Sequence, residues 1–168
     1  MRIFLVDGRG DAMSTKAIRI ATLIVLLINL ALIFIVDLFT IEMLPDKGIS
    51  GNGNPAIILW FIELPAYLLL LAGIAVIVQR ERYLVQYNRV SVSLILLVLL
   101  AVSILLQVDK AQRIHDQIDG RINEFGWLNQ YTNTIYINFY SFLSGILLLL
   151  FIQSVITLIR FRIHRKRT

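Results

Sequence analysis

Two carboxylates interrupt stretches that otherwise carry no charge, and they are the first candidates for chemistry. Asp37 follows 17 uncharged residues after Arg19, and Glu63 is the one acid between Pro55 and Gln79. A charge placed in lipid is costly, so ionisable residues there mark functional positions by default. A helix rises about 1.5 Å per residue, so the count from the basic residue at the inner boundary measures depth. Asp37 is 18 residues from Arg19, about 27 Å, and Glu63 is 17 residues from Arg80, about 25 Å. Gln107, 18 residues from Arg89, falls at the same level, as do Tyr140, Ser141 and Ser144, 16 to 20 residues from Arg160.

One chemistry fits that layer: a cation or proton site, with Asp37 and Glu63 as charge partners and Gln107, Tyr140 and Ser144 as oxygen donors. The alternative is a layer already among the lipid headgroups, where carboxylates stay wet at little cost. The second reading is preferred, because transporter sites usually lie nearer the bilayer midplane. Pro65, two residues after Glu63, is expected to kink its helix or free a carbonyl. Deeper polar residues are few. Asn29 and Gln153 lie close enough in depth for one interhelical hydrogen bond, which would serve packing.

The elements that must carry these residues follow from composition. The chain has 168 residues, 58% of them hydrophobic and 16% charged, with a mean hydropathy of +0.77. A soluble domain of that size carries about a quarter charged residues to cover its surface. Continuous apolar runs give four spans, at about 17–44, 55–79, 90–108 and 135–159, each long enough to cross a hydrocarbon core about 30 Å thick as a helix. Barrel strands would alternate instead. The expected fold is therefore an all-α integral membrane protein of one four-helix domain. Span one is longer than a signal-peptide core and lacks a small-residue cleavage site, so it reads as an uncleaved helix. Met13 would be an ordinary start, with residues 1–12 as an extension.

Orientation follows from Lys and Arg in the loops. Twelve fall on one side: Arg2, Arg9, Lys16, Arg19, Arg80, Arg82, Arg89, Arg160, Arg162, Arg165, Lys166 and Arg167. Four fall on the other: Lys47, Lys110, Arg113 and Arg121. Both termini are expected in the cytoplasm, with a plasma membrane as the setting. The basic tail Arg160, Arg162, Arg165, Lys166 and Arg167 anchors the last span and attracts anionic headgroups. No folded cytoplasmic module presents these charges to a nucleic acid.

The second outer loop should contain an amphipathic helix over about 110–125. Ala111, Ile114, Ile118, Ile122, Phe125 and Leu128 recur at steps of three and four, with polar residues between them. That stripe either caps the bundle or forms an interface, through Ile114, Ile118, Ile122 and Phe125, for a membrane-protein partner or a second copy of the chain. Capping is preferred, because a loop tethered at both ends is held against the bundle.

Enzymatic classes find little support. There is no cysteine, phosphate-binding glycine loop, metal-ligand spacing or nucleophile motif. Neither histidine lies in a span, so no intramembrane haem, metal or other cofactor is expected. A non-enzymatic accessory or regulatory protein acting through helix packing and its outer helix is the expected function. The alternative is a small proton- or cation-linked carrier or channel component using Asp37 and Glu63.

Overall fold

A computed structural model describes residues 14–41, 53–84, 90–118 and 127–165, and all regular structure among them is helical. The helices are α1 (Thr15–Leu38), α2 (Ala56–Arg80), α3 (Val90–Ile118), the single-turn α4 (Asn133–Tyr136) and α5 (Phe139–Arg165). Four segments are long and apolar enough to cross a membrane: α1, α2, α3 and the stretch Asn133–Phe161.

Local chemistry sets most of the ends. Ser14 caps α1, its side chain accepting from the Ala17 amide at 3.2 Å. At the far end Thr40 Oγ1 donates back to the Val36 carbonyl at 2.7 Å, and the Ile41 amide leaves the helix to bond the Gln130 carbonyl at 3.0 Å. This is why α1 stops at Leu38 instead of running through an apolar stretch to 44; residues 42–44 lie outside the described residues. Asn54 Oδ1 accepts from the Ala56 amide at the start of α2, just before which Pro55 has no N–H to offer. The helix then continues through Pro65, which leaves the Phe61 carbonyl without its usual donor. After α2 the chain reverses through Arg82 in the left-handed region, φ 52°.

The largest departure from expectation is in α3. It does not end near the membrane surface at 108 but runs unbroken to Ile118, 29 residues or about 43 Å. No glycine or proline intervenes before Gly120, and the Asp109–Arg113 ion pair at 2.6 Å spans one turn of the extension. Span three and the described residues 110–118, expected to belong to a separate loop helix, are thus one rod. Ile122 and Phe125 lie outside the described residues.

Side-chain contacts give the topology. Arg19, near the start of α1, bonds Glu81 at 2.7 Å and Tyr83 at 3.3 Å, just past the end of α2. The two helices are therefore antiparallel. Ser93 pairs with Ser154 at 2.6 Å and Ser103 with Ser144 at 2.9 Å, so α3 and α5 are antiparallel as well. Trp60 meets Tyr136, and Tyr67 meets Phe142, so α2 and α5 run in the same direction. The result is an up-down-up-down bundle built from two tight pairs, α1 with α2 and α3 with α5. The pairs meet chiefly along α2 and α5, while α4 bridges α1 and α3 and closes one end.

Burial is inverted relative to a soluble protein. Large apolar side chains such as Leu23, Ile58, Phe61, Leu68, Ile95, Leu105 and Ile152 face outward. Asn29, Glu63, Ser93, Ser103 and Ser154 lie inside. Such a girdle suits lipid, and helix contacts within a bilayer rest on small residues and interhelical hydrogen bonds. Gly73 lies against Thr22 and Gly145 against the Tyr67 hydroxyl, where a Cβ on either glycine would overlap its neighbour. The expected Asn29–Gln153 bond does not form. Asn29 Nδ2 donates to Val25 of its own helix, and Asn29 Oδ1 and Gln153 Oε1 have no partner among the described residues.

Candidate functional site

At the closed end, the residues between α4 and α5 turn sharply because Asn138 caps α5. Its Oδ1 accepts from the Tyr140 and Ser141 amides at 2.7 and 3.1 Å. Ser141 reciprocates, its hydroxyl accepting from the Asn138 amide and donating to the Asn138 carbonyl. The Asn138 side-chain Nδ2 then donates to the Thr134 carbonyl at 2.8 Å and to Gln107 Oε1 on α3 at 2.7 Å. Gln107 Nε2 donates to the Ile135 carbonyl. One turn further in, Ser103 Oγ donates to the Tyr140 carbonyl at 3.1 Å and accepts from Ser144. Gln107 is therefore held by Asn138, Ser144 by Ser103, and Tyr140 by both through its backbone. Their hydrogen bonds join α3 to the α4–α5 turn, and neither acid is a partner in them. Nearby, Asn54 and Asn133 exchange two amide hydrogen bonds, at 2.7 and 3.0 Å, tying the start of α2 to α4.

The two acids part company. Asp37 is exposed and borders a cavity of about 230 Å³ between α1 and α3, with Thr40, Lys110, Gln117, Ile118 and Thr134. Glu63 is only 5% exposed and borders a second cavity of about 550 Å³ enclosed mainly by α2, α4 and the start of α5. Its walls include Trp60, Phe61, Tyr67, Tyr136 and Phe142. Glu63 Oε2 and Trp60 Nε1 are buried without a hydrogen-bond partner among the described residues, whereas the Tyr67 hydroxyl donates to the Phe142 carbonyl at 2.7 Å.

The interface candidates divide by description. Ile118 is 1% exposed and packs on Tyr131, with Ile114 half-buried beside it, so the described part of the stripe faces the closed end. In the basic tail, Arg160 is exposed on α5; the side chains of Arg162 and Arg165, and all of Lys166 and Arg167, lie outside the described residues.

Sequence reasoning missed Asn138, Asn133, Ser103, Trp60 and Tyr67. A signal existed for two of these groups. Asn138 with Ser141 three residues on reads as a helix start, and Trp60 and Tyr67 stand three before and four after Glu63, on one helix face. Compared with known protein families, with curated proteins and with solved structures, the chain finds no match.

Proposed function

We propose that this chain is a non-enzymatic accessory or regulatory protein of the plasma membrane, with both termini in the cytoplasm. One observation carries the reading. The side chains of Gln107 and Ser144, two of the oxygen donors that an ion site at this depth would use, are engaged in bonds that hold the bundle together, Tyr140 joins the same bonds through its backbone, and Asp37 and Glu63 border different cavities. Past the depth of Asp109, α3 projects an exposed polar face comprising Gln112, Arg113, His115, Asp116 and Gln117. That face suits a membrane-protein partner or a second copy of the chain. The basic end lies against anionic headgroups, and no nucleic acid is involved.

Orientation is supported by the twelve-to-four division of Lys and Arg and by the start of α1 and the end of α5 lying at one end. A reporter active only outside the cell should stay silent when fused after Thr168 and be active when inserted at Gly51; the reverse pattern would overturn the orientation. Extraction from the native membrane in mild detergent should recover the chain with a stoichiometric membrane partner or as a defined homo-oligomer. Recovery as a bare monomer under conditions that preserve other membrane complexes would count against the role.

A second reading is favoured by the unpaired Glu63 oxygen: a small proton- or cation-linked carrier or channel component using Glu63 and Asp37. It requires a measurable flux across the membrane.

A further inference from the structure

The Glu63 cavity has a composition that packing alone does not explain. It holds about 550 Å³, within the range of sites that bury small ligands. At its rim Phe61 is 78% and Leu64 63% exposed, on the girdle that faces lipid, while Glu63 is buried. The opening is therefore lateral, toward the acyl chains, with an acid inside. A carboxyl taken out of water must be paired, hydrogen-bonded or neutralised by a proton, and Glu63 Oε2 has no partner among the described residues. The described lining contains no Lys, Arg or His, so an ionised Glu63 would take its positive partner from outside the lining. What the lining does offer is aromatic surface, from Trp60, Tyr67, Tyr136 and Phe142. Such surface stabilises an ammonium group through the ring faces.

We propose that this cavity is a binding site for a membrane-partitioned amphiphile with a primary ammonium head. The ammonium sits on Glu63 among the aromatic rings, and the hydrocarbon chain leaves past Phe61 and Leu64 into the bilayer. Trp60 adds a constraint. Its Nε1 donor is unpartnered, and the residue stands three positions nearer the closed end than Glu63, about 4.5 Å along the axis. It favours a ligand with a hydrogen-bond acceptor further out than its amine. An ethanolamine phospholipid presents these groups in the opposite order, with ammonium outermost, so a free amphiphilic amine fits better than a bilayer headgroup. This site goes beyond the accessory role and does not depend on it.

The test uses the full chain with Trp127→Phe, which leaves Trp60 as its only tryptophan. In phosphatidylcholine vesicles, Trp60 fluorescence is followed against a spin-labelled long-chain primary amine and against the matching spin-labelled fatty acid. The amine should quench saturably, and the fatty acid should quench only in proportion to its partitioning. Glu63→Gln should weaken the amine's apparent affinity about tenfold, the scale of one charge-assisted hydrogen bond. Replacing part of the lipid with phosphatidylethanolamine should leave the affinity unchanged. Equal, non-saturable quenching by both probes overturns the site, as does an undiminished affinity in Glu63→Gln. Competition by phosphatidylethanolamine overturns the assignment to a free amine. If Glu63→Gln fails to assemble, the contrast between the two probes on the Trp127→Phe protein decides.

Discussion

Ile118→Asp should unfold the closed end of the bundle. Ile118 is 1% exposed against Tyr131 and Ile114, at the point where the rod of α3 meets the turn leading into α4. A carboxylate there loses the apolar contact and is desolvated, which costs of order 4 kcal/mol, reduced where Lys110 on the same cavity can reach it. Ile118→Ala removes only volume and should cost about 3 kcal/mol, and Ile118→Val about 1 kcal/mol. Unfolding in mixed micelles of rising sodium dodecyl sulfate fraction would rank the three. Wild-type stability for Ile118→Asp would mean that the stripe is exposed and idle.

Gly145→Leu should part the two helix pairs. A Cβ at residue 145 would overlap the Tyr67 hydroxyl, which is held there by its bond to the Phe142 carbonyl. Because α2 and α5 form the main seam between the pairs, any shift there opens the whole bundle. Overpacking of this kind costs about 1–3 kcal/mol, so Gly145→Ala should lie in that range and Gly145→Leu at or above its top. Tyr67→Phe alone should cost about 1 kcal/mol, the worth of an interhelical hydrogen bond in a membrane. The informative variant is the double one. Removing the hydroxyl removes the overlapping atom, so Tyr67→Phe with Gly145→Ala should be more stable than the sum of its parts predicts, by roughly 1 kcal/mol. Strict additivity would show that the two residues do not meet.

The spans were legible because continuous apolar runs of this length have few other solutions. The rotation of each helix was not. In a soluble helix the polar face reveals the buried one, but here lipid-facing and inward faces are equally apolar and the contrast vanishes. The seam of α2 illustrates this: Ala56, Glu63 and Leu70 are buried at steps of seven, and only Glu63 among them differs in chemistry from its neighbours. Depth, by contrast, is a simple count, and it placed Asp37 and Glu63 at one level. Their separation is partly axial, since Ile33, one turn before Asp37, is the α1 residue that borders the Glu63 cavity, and partly azimuthal. Val36 is fully buried, and the next residue on a helix points about 100° away, which leaves Asp37 exposed.

The unbroken α3 has a different cause. A change from apolar to polar composition at Asp109 marks where a helix leaves lipid, not where it ends. Ending it requires a breaker or a cap, and none stands between Val108 and Ile118. The Asn138 capping motif went unread because the surrounding residues, Ile135 to Phe142, look like the beginning of a continuous span. Both cases show that composition locates the membrane while capping chemistry locates the helix ends.

The placement of the polar side chains bears directly on whether anything crosses this protein. Purified chain reconstituted into vesicles, with proton and monovalent-cation flux followed from mildly acidic to mildly basic pH, is the most direct measurement. A bundle whose outer-layer oxygens serve its own packing, as proposed, gives flux equal to that of empty vesicles under every condition. A flux above that baseline that disappears in Glu63→Gln or Asp37→Asn would contradict the accessory role and establish the acids as a working transport site.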